Sequence, residues 1–225
     1  MKYLTKYSIA LLLLSVLFLT CCKSQPFPPS GAKAKQLKAQ RKTLEEAKGE
    51  IKENWLSWVH GDWMWFKKFY NESLSEADVP NMTMVPIPIY RMDSVSFYNY
   101  TTDTDIANSL ALETKKADYL VLLKDSAFVA TDEVYYYPDG KWNTGGGYSG
   151  LFPGIANKYY TLYSQGIPFY RLHLYMNKSS YHYSWSFYDN GKEFVSIQSD
   201  GSEISLIQQL NAERDSMKEY YKKKQ

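Results

Sequence analysis

The sequence predicts an α+β fold: a long N-terminal helix, an antiparallel sheet that ends in a three-stranded C-terminal meander, and helices packed on that sheet, including a C-terminal helix. Two periodicities support this prediction. Apolar residues recur at helical spacing between Lys33 and Val59, and again in a last helix that is predicted to start at Ser202 or Asp200. Between Phe169 and Phe187 they instead alternate with polar residues, which is typical of antiparallel strands with one apolar face.

The predicted N-terminal helix carries one narrow apolar stripe. Its apolar residues recur every seven positions, with two more between them: Leu37, Leu44, Ile51 and Trp58, then Ala47 and Trp55. Polar residues stand at Gln40, Arg41 and Lys48, where the seam of a coiled coil requires apolar side chains. The stripe therefore favours packing against the sheet, and it favours a core role for the aromatic residues over sugar stacking.

The middle of the chain predicts short strands. Met84–Tyr90 contains Pro86 and Pro88, which cannot donate backbone hydrogen bonds, so we expect an edge strand or an extended segment there. Val95–Tyr100 predicts a second short strand. Tyr119–Leu123 is continuously apolar and predicts a central strand that is buried on both faces.

The register of the C-terminal meander follows from its alternation. A four-residue loop at Asn177–Ser180 pairs Leu172 with Trp185 and brings every apolar residue of the hairpin opposite another. A three-residue loop at Asp189–Gly191 then places Val195 opposite Trp185. This register gives the meander one apolar face and one polar face.

The polar face of the hairpin is a candidate ligand-binding face. It gathers six side chains: Arg171, His173, Tyr175, His182, Ser184 and Ser186. In the predicted register His173 faces Ser184 and Tyr175 faces His182. Such a face could bind an anionic or hydroxyl-rich ligand, with Arg171 as the partner of a carboxylate or phosphate. The spacing shows no third ligand beside the two histidines, so we predict no metal and no cofactor. The alternative is the solvated outer face of a one-sided sheet.

The first residues have the organisation of a secretory signal. Lys2 and Lys6 precede an apolar run, Ile9–Leu19, which is too short to cross a bilayer as a stable helix. Cys21 and Cys22 follow the run and are the two cysteines of the chain. An ordinary signal peptide with incidental cysteines is the alternative interpretation.

The segment Leu19-Thr20-Cys21-Cys22 resembles the lipobox of bacterial lipoprotein precursors. The pattern fits best with Cys22 as the lipidated residue, since an aliphatic leucine then stands at position −3; Cys21 is the alternative. The resemblance implies a signal peptide over residues 1–21 and a membrane partner reached through the N-terminal lipid. A flexible tether over 22–32, with a reach of about 30 Å, then leads to a single α+β domain over 33–225.

The resemblance also implies a location in the cell. Lipoproteins are held in the cell envelope, and Lys23-Ser24-Gln25 does not resemble the acidic signal that sends some of them to the cell surface. We therefore expect a lipid-anchored protein of the outer membrane that faces the periplasm. Without Lys2 and Lys6, the 26 cationic residues fall to 24 and equal the 24 anionic ones, so nucleic acid is not an expected partner.

The function that these features favour is a non-catalytic binding or assembly component of the envelope, with an envelope protein or a glycan as its partner. No acidic, basic or nucleophilic residues in the sequence have the spacing of a catalytic motif. A glycan-binding lipoprotein that stacks sugars on tyrosine and tryptophan is one alternative, and exposure of Trp55, Trp142 or Trp185 would favour it. An envelope hydrolase is the other alternative.

Three short segments also resemble the Asp-Ser-aliphatic acceptor of O-glycosylation in some envelope-rich bacteria. They are Asp93-Ser94-Val95, Asp125-Ser126-Ala127 and Asp215-Ser216-Met217. The resemblance implies glycan attachment at Ser94, Ser126 and Ser216, provided that these serines are exposed.

Overall fold

Helices and strands are both present in the computed structural model of the protein, which confirms the predicted α+β class. The structure describes residues 31–61, 64, 75–123, 126–130, 134–144, 152–176 and 181–222. Residues 1–30, which include Cys21, Cys22 and most of the predicted tether, lie outside the described residues.

The described helices are α1 (Ala32–Gly61), α2 (Ser94–Asn99), α3 (Asp103–Ser109), α4 (Pro153–Ser164) and α5 (Leu206–Lys222), with a 3₁₀ turn at Glu76–Asn81. The described strands are β1 (Thr83–Asp93), β2 (Ala111–Leu123), β3 (Ser126–Ala130), β4 (Val134–Tyr136), β5 (Trp142–Thr144), β6 (Phe169–Tyr175), β7 (Tyr181–Asp189), β8 (Phe194–Ile197) and β9 (Glu203–Ser205).

The strands form one sheet in the order β5-β4-β2-β1-β6-β7-β8-β9, with β3 also paired to β2. The pair β1–β6 is parallel and the other described pairs are antiparallel, so the sheet is mixed where an antiparallel one was predicted. The C-terminal meander continues past its three predicted strands into β9. This short strand occupies the residues before α5, and the last helix therefore begins later than the predicted Asp200 or Ser202.

Helices cover both faces of the sheet. On one face the stripe of α1 is buried as predicted at Leu37, Leu44 and Ile51, while the side chain of Trp58 lies outside the described part. Helix α5 contributes Leu206, Leu210 and Met217 to the same face. On the other face α4 packs through Tyr159 and Leu162 against Ile87, Leu120 and Phe169. Each large side chain buried in this way stabilises the fold by roughly 1.5–3 kcal/mol before entropic costs.

Strand β2 confirms the predicted central strand. Tyr119, Leu120, Val121 and Leu122 are all buried, with alternate residues contributing to the clusters on opposite faces of the sheet. A continuous apolar run is what a strand covered by helices on both sides requires.

Strand β1 contradicts the prediction of an edge strand, because it lies between β2 and β6. The prolines are nevertheless accommodated by local pairing. Residues 83–88, which contain Pro86 and Pro88, pair with β2, and the parallel ladder to β6 begins only at Ile89. The proline-bearing half of the strand is thus an edge on its β6 side. No strand is paired there, so the amide hydrogens that the prolines lack are not needed for a ladder.

The first hairpin has the predicted register as far as Leu174, but the second hairpin does not have it. Leu172 pairs with Trp185, as expected. After β7, however, the loop is Asn190–Glu193, and Val195 pairs with Tyr188 where Trp185 was predicted. The side chain of Asn190 accepts bonds from the amides of Lys192 and Glu193 at 2.8 and 3.0 Å, which favours this longer turn.

Helix α2 replaces the strand predicted at Val95–Tyr100. Asp93 explains the difference, because its carboxylate accepts a hydrogen bond from the Ser96 amide at 2.7 Å and caps the helix. Phe97 on the inner side of α2 is fully buried, so tertiary packing adds to the cap and outweighs the β-propensity of the segment.

The cap can be tested by substitution. We expect Asp93→Ala to lower the free energy of unfolding by about 1 kcal/mol, measured by urea denaturation, because one amide at the start of α2 loses its acceptor. Asp93→Asn keeps an oxygen acceptor, so its free energy of unfolding should be close to that of the parent protein. Equal losses in the two variants would show that charge, and not the cap, stabilises this helix.

Candidate functional site

The polar face predicted on the hairpin is half-buried or buried in its described part, contrary to the solvated face that was the alternative. His173 and Ser186 are among the buried residues. The Arg171 side chain is 14% exposed and its Nη1 lies 3.0 Å from Oδ2 of Asp118, whose side chain is 3% exposed. Arg171 is therefore held by a carboxylate of β2 inside the protein.

Tyr175 and Ser184, the other described members of that face, are half-buried. Arg171 donates from Nε and Nη2 to the Ser184 hydroxyl at 3.2 and 2.9 Å. A β-bulge after Leu174 pairs Tyr175 with Tyr181, so the predicted pairing with His182 is wrong. The side chain of His182 lies outside the described side chains. Arg171, Asp118 and Ser184 thus form a partly buried polar network, and a ligand-binding role of this face stays a prediction.

A cleft on another part of the sheet offers a better-formed site. Its volume is about 330 Å³, at the lower end of the range of small-molecule pockets. It lies where β1 and the start of β6 separate, between α1 and the C-terminal end of α4. Its lining residues are Arg41, Glu45, Val85, Pro86, Tyr163, Gly166, Ile167, Pro168 and Phe169.

Two prolines explain why the cleft exists. The parallel ladder begins where Ile89 pairs with Arg171, and extending that register backwards would place Pro86 beside Pro168. Neither residue has an amide hydrogen, so the two strands cannot continue their ladder at this point. The ladder stops before these two prolines, and both of them line the cleft.

Arg41 supplies the positive charge of the cleft. The guanidinium carbon lies 5.8 Å from the centroid of the Tyr170 ring, in the range of cation–π contacts. Burial raises the pKa of the Tyr170 hydroxyl, and the positive charge of Arg41 partly offsets that rise. Arg41 is itself half-buried, so its charge is only partly hydrated.

The acidic group of the cleft is at its outer side. Glu45 stands one helical turn after Arg41 and is exposed, and its carboxylate lies 3.4 Å from the Lys48 ammonium. No carboxylate among the described residues forms an ion pair with Arg41. The cleft therefore combines apolar walls with one cation that lacks a carboxylate partner in the described part of the chain.

A sequence signal for this site existed in the interrupted stripe of α1. Gln40 donates a hydrogen bond to the backbone carbonyl of Glu113 at 2.6 Å and so links α1 to strand β2. Lys48 pairs with Glu45. Arg41 is the remaining interruption, and it faces the cleft. A charged residue on the buried side of a helix was thus the signal, but its meaning depended on strands far away in sequence.

The predicted modification sites differ in their surroundings. Ser216 is exposed on α5, and Ser94 is half-buried at the start of α2. Ser126 is in β3, and its side chain lies outside the described side chains. Exposure, which glycan attachment requires, is therefore present at Ser216.

The tryptophans expected to favour glycan stacking are mostly in the core. Trp55 is 2% exposed and Trp142 is 4% exposed. Trp185 is half-buried and stacks on Tyr183 with 5.7 Å between the ring centroids. Two of the three aromatic platforms are therefore not accessible to a sugar.

Comparison with known proteins identified no similar protein. No protein-family model matches the chain, and no curated protein and no solved structure is significantly similar to it. Within the described ranges, none of the helices combines the length and the apolar character needed to span a bilayer. In the same ranges no three His, Cys, Asp or Glu side chains are grouped closely enough to hold a metal ion.

Proposed function

We propose that the protein is a lipid-anchored lipoprotein of the bacterial envelope, held at the periplasmic face of the outer membrane, and that it is a non-catalytic binding component. The resemblance of Leu19-Thr20-Cys21-Cys22 to a lipobox supports the anchor. The cleft beside Arg41 is the single observation that supports binding, because it is concave, mostly apolar and provided with one orienting charge.

The position of the cleft fits such a role. Helix α1 is buried along its length at Leu37, Leu44 and Ile51, so it moves with the body of the protein. Arg41 lies nine residues after the first residue of α1, about 14 Å along the helix axis. A short tether at the N-terminal end of α1 would therefore keep the cleft close to the membrane surface.

The two alternatives have less support. Glycan stacking was expected to use exposed tryptophans, and Trp55 and Trp142 are buried. Hydrolysis requires a nucleophile or paired acids within reach of a general base, and the described lining of the cleft offers one carboxylate, Glu45, at its outer side.

Anchoring is tested by labelling cells with an alkyne-tagged fatty acid and comparing two single substitutions. We expect the parent protein and Cys21→Ser to carry the label and to sediment with the membranes. Cys22→Ser should lose the label and appear in the soluble envelope fraction, because the acylated sulfur is gone. A parent protein without label, or a fully labelled Cys22→Ser, would contradict the proposed anchor.

A further inference from the structure

We propose that the cleft binds an amphipathic carboxylate, an apolar molecule with a single negative charge, and that Arg41 is its counter-ion. This inference rests on the proposed function, since it names the ligand class of a binding protein. Its elements are the charge of Arg41, the apolar walls and the position of Glu45.

The charge of Arg41 is the first element. A guanidinium cannot be neutralised at physiological pH, so a partly buried one is stabilised by an anion beside it. The described structure gives Arg41 the ring face and a side-chain hydrogen bond of Tyr170, and no carboxylate. Elsewhere in the same sheet, Arg171 has Asp118 at 3.0 Å. Arg41 is therefore prepared for an anion that the described chain does not supply.

The walls are the second element. The cleft is lined by Val85 and Pro86 of β1 and by the segment that leads into β6, Ile167, Pro168 and Phe169. They carry no ionisable group and could cover an alkyl or aromatic body, with burial of that body as the main favourable term. The backbone at Pro86 and Pro168 offers no amide donor, so a highly polar ligand such as a sugar would leave many of its groups without partners there.

Glu45 is the third element, because it limits the charge of the ligand. Its carboxylate stands one helical turn from Arg41 and lines the outer side of the cleft. A single carboxylate seated on the guanidinium is accommodated, since the Lys48 ammonium at 3.4 Å partly offsets the negative charge of Glu45. A ligand with two negative charges would meet like-charge repulsion at this side.

The experiment uses three probes with the same eight-carbon chain and different head groups: octanoate, octanol and octylamine. Binding to the mature protein is measured by isothermal titration calorimetry at neutral pH. We expect octanoate to bind about ten- to a hundredfold more tightly than octanol, since one charge-assisted contact is worth that ratio, and octylamine to bind more weakly than both.

Matched substitutions assign the effect to the cleft. Arg41→Gln should reduce the affinity for octanoate to that for octanol, whereas Lys38→Gln removes the same charge from an exposed position of α1 and should leave it unchanged. Val85→Phe fills the cleft without changing the charge and should weaken both ligands. Thermal unfolding of each variant shows that the domain is folded, so that loss of binding is not loss of structure.

Equal affinity for octanoate and octanol, no binding of either by the folded parent, or unchanged octanoate binding by Arg41→Gln would each overturn this inference. Those results would leave the proposed anchor standing, because the anchor depends on the fatty-acid label at Cys22. If Cys22 carried no fatty-acid label but the protein still preferred octanoate to octanol, the proposed anchor would be overturned. The proposed class of ligand would then remain supported.

Discussion

Replacing Asp118 with alanine is expected to destabilise the fold by about 3–5 kcal/mol, because it leaves the Arg171 charge buried without its partner. The two side chains are 3% and 14% exposed and their charged groups lie 3.0 Å apart, so water cannot replace the lost carboxylate. Urea denaturation followed by circular dichroism measures the change directly.

A double variant separates the cost of a lone charge from the value of the pair. Asp118→Leu combined with Arg171→Met removes both charges and keeps apolar volume at each position. We expect it to recover most of the stability that Asp118→Ala loses, since a buried ion pair contributes little over an apolar pair. A double variant as unstable as the single one would show that the network itself, with Ser184, holds the sheet together.

Replacing Gly154 with alanine is expected to cost about 3 kcal/mol, although alanine normally favours helices. Gly154 is in the first turn of α4, and a Cβ there would overlap the backbone of Asp200 and Gly201 in the turn before β9. Neither of these backbones is a flexible side-chain end that could move aside, so α4 would have to shift on the sheet.

Gly49 provides the matched control. It is exposed in the middle of α1, and an added Cβ would meet no atom within 4 Å. Gly49→Ala should therefore stabilise the protein by about 1 kcal/mol, the ordinary difference in helix propensity. The same substitution thus has opposite signs at the two positions, and thermal or urea unfolding of both variants tests this. Stabilisation by Gly154→Ala would contradict the close packing of α4.

The spacing of apolar residues correctly predicted those parts of the fold that are formed by one element or by two neighbouring strands. The stripe of α1 was buried where the seven-residue spacing placed it, at Leu44 and Ile51 among others. The pairing of Leu172 with Trp185 also followed from alternation alone. In both cases the period of the apolar residues matches the geometry of one element or of two neighbouring strands.

The errors arose where distant segments or single side chains decide the structure. Strand β1 became central because β6, far along the chain, pairs with its second half. The segment after Asp93 became a helix because one carboxylate caps it. The register of β8 depended on Asn190, whose side chain bonds two amides of the loop. None of these interactions appears in the hydrophobic period.

The candidate site was only partly visible in the sequence. Arg171 was recognised as a potential anion partner, but its neutralisation by Asp118 depends on the packing of β2, β1 and β6 side by side. Arg41 was visible as a charge within an apolar stripe. Its role depends on Pro86 and Pro168 standing near each other across a parallel pair of strands. A single sequence does not show such a pairing.

The most direct test of the account is native mass spectrometry of the full protein, purified from the cells that produce it. The account predicts a fraction with a non-covalent adduct that is released on denaturation as a small acidic molecule. The same preparation of Arg41→Gln should lack that adduct. Parent protein whose native mass equals its mass after denaturation, or an adduct retained in full by Arg41→Gln, would contradict the account.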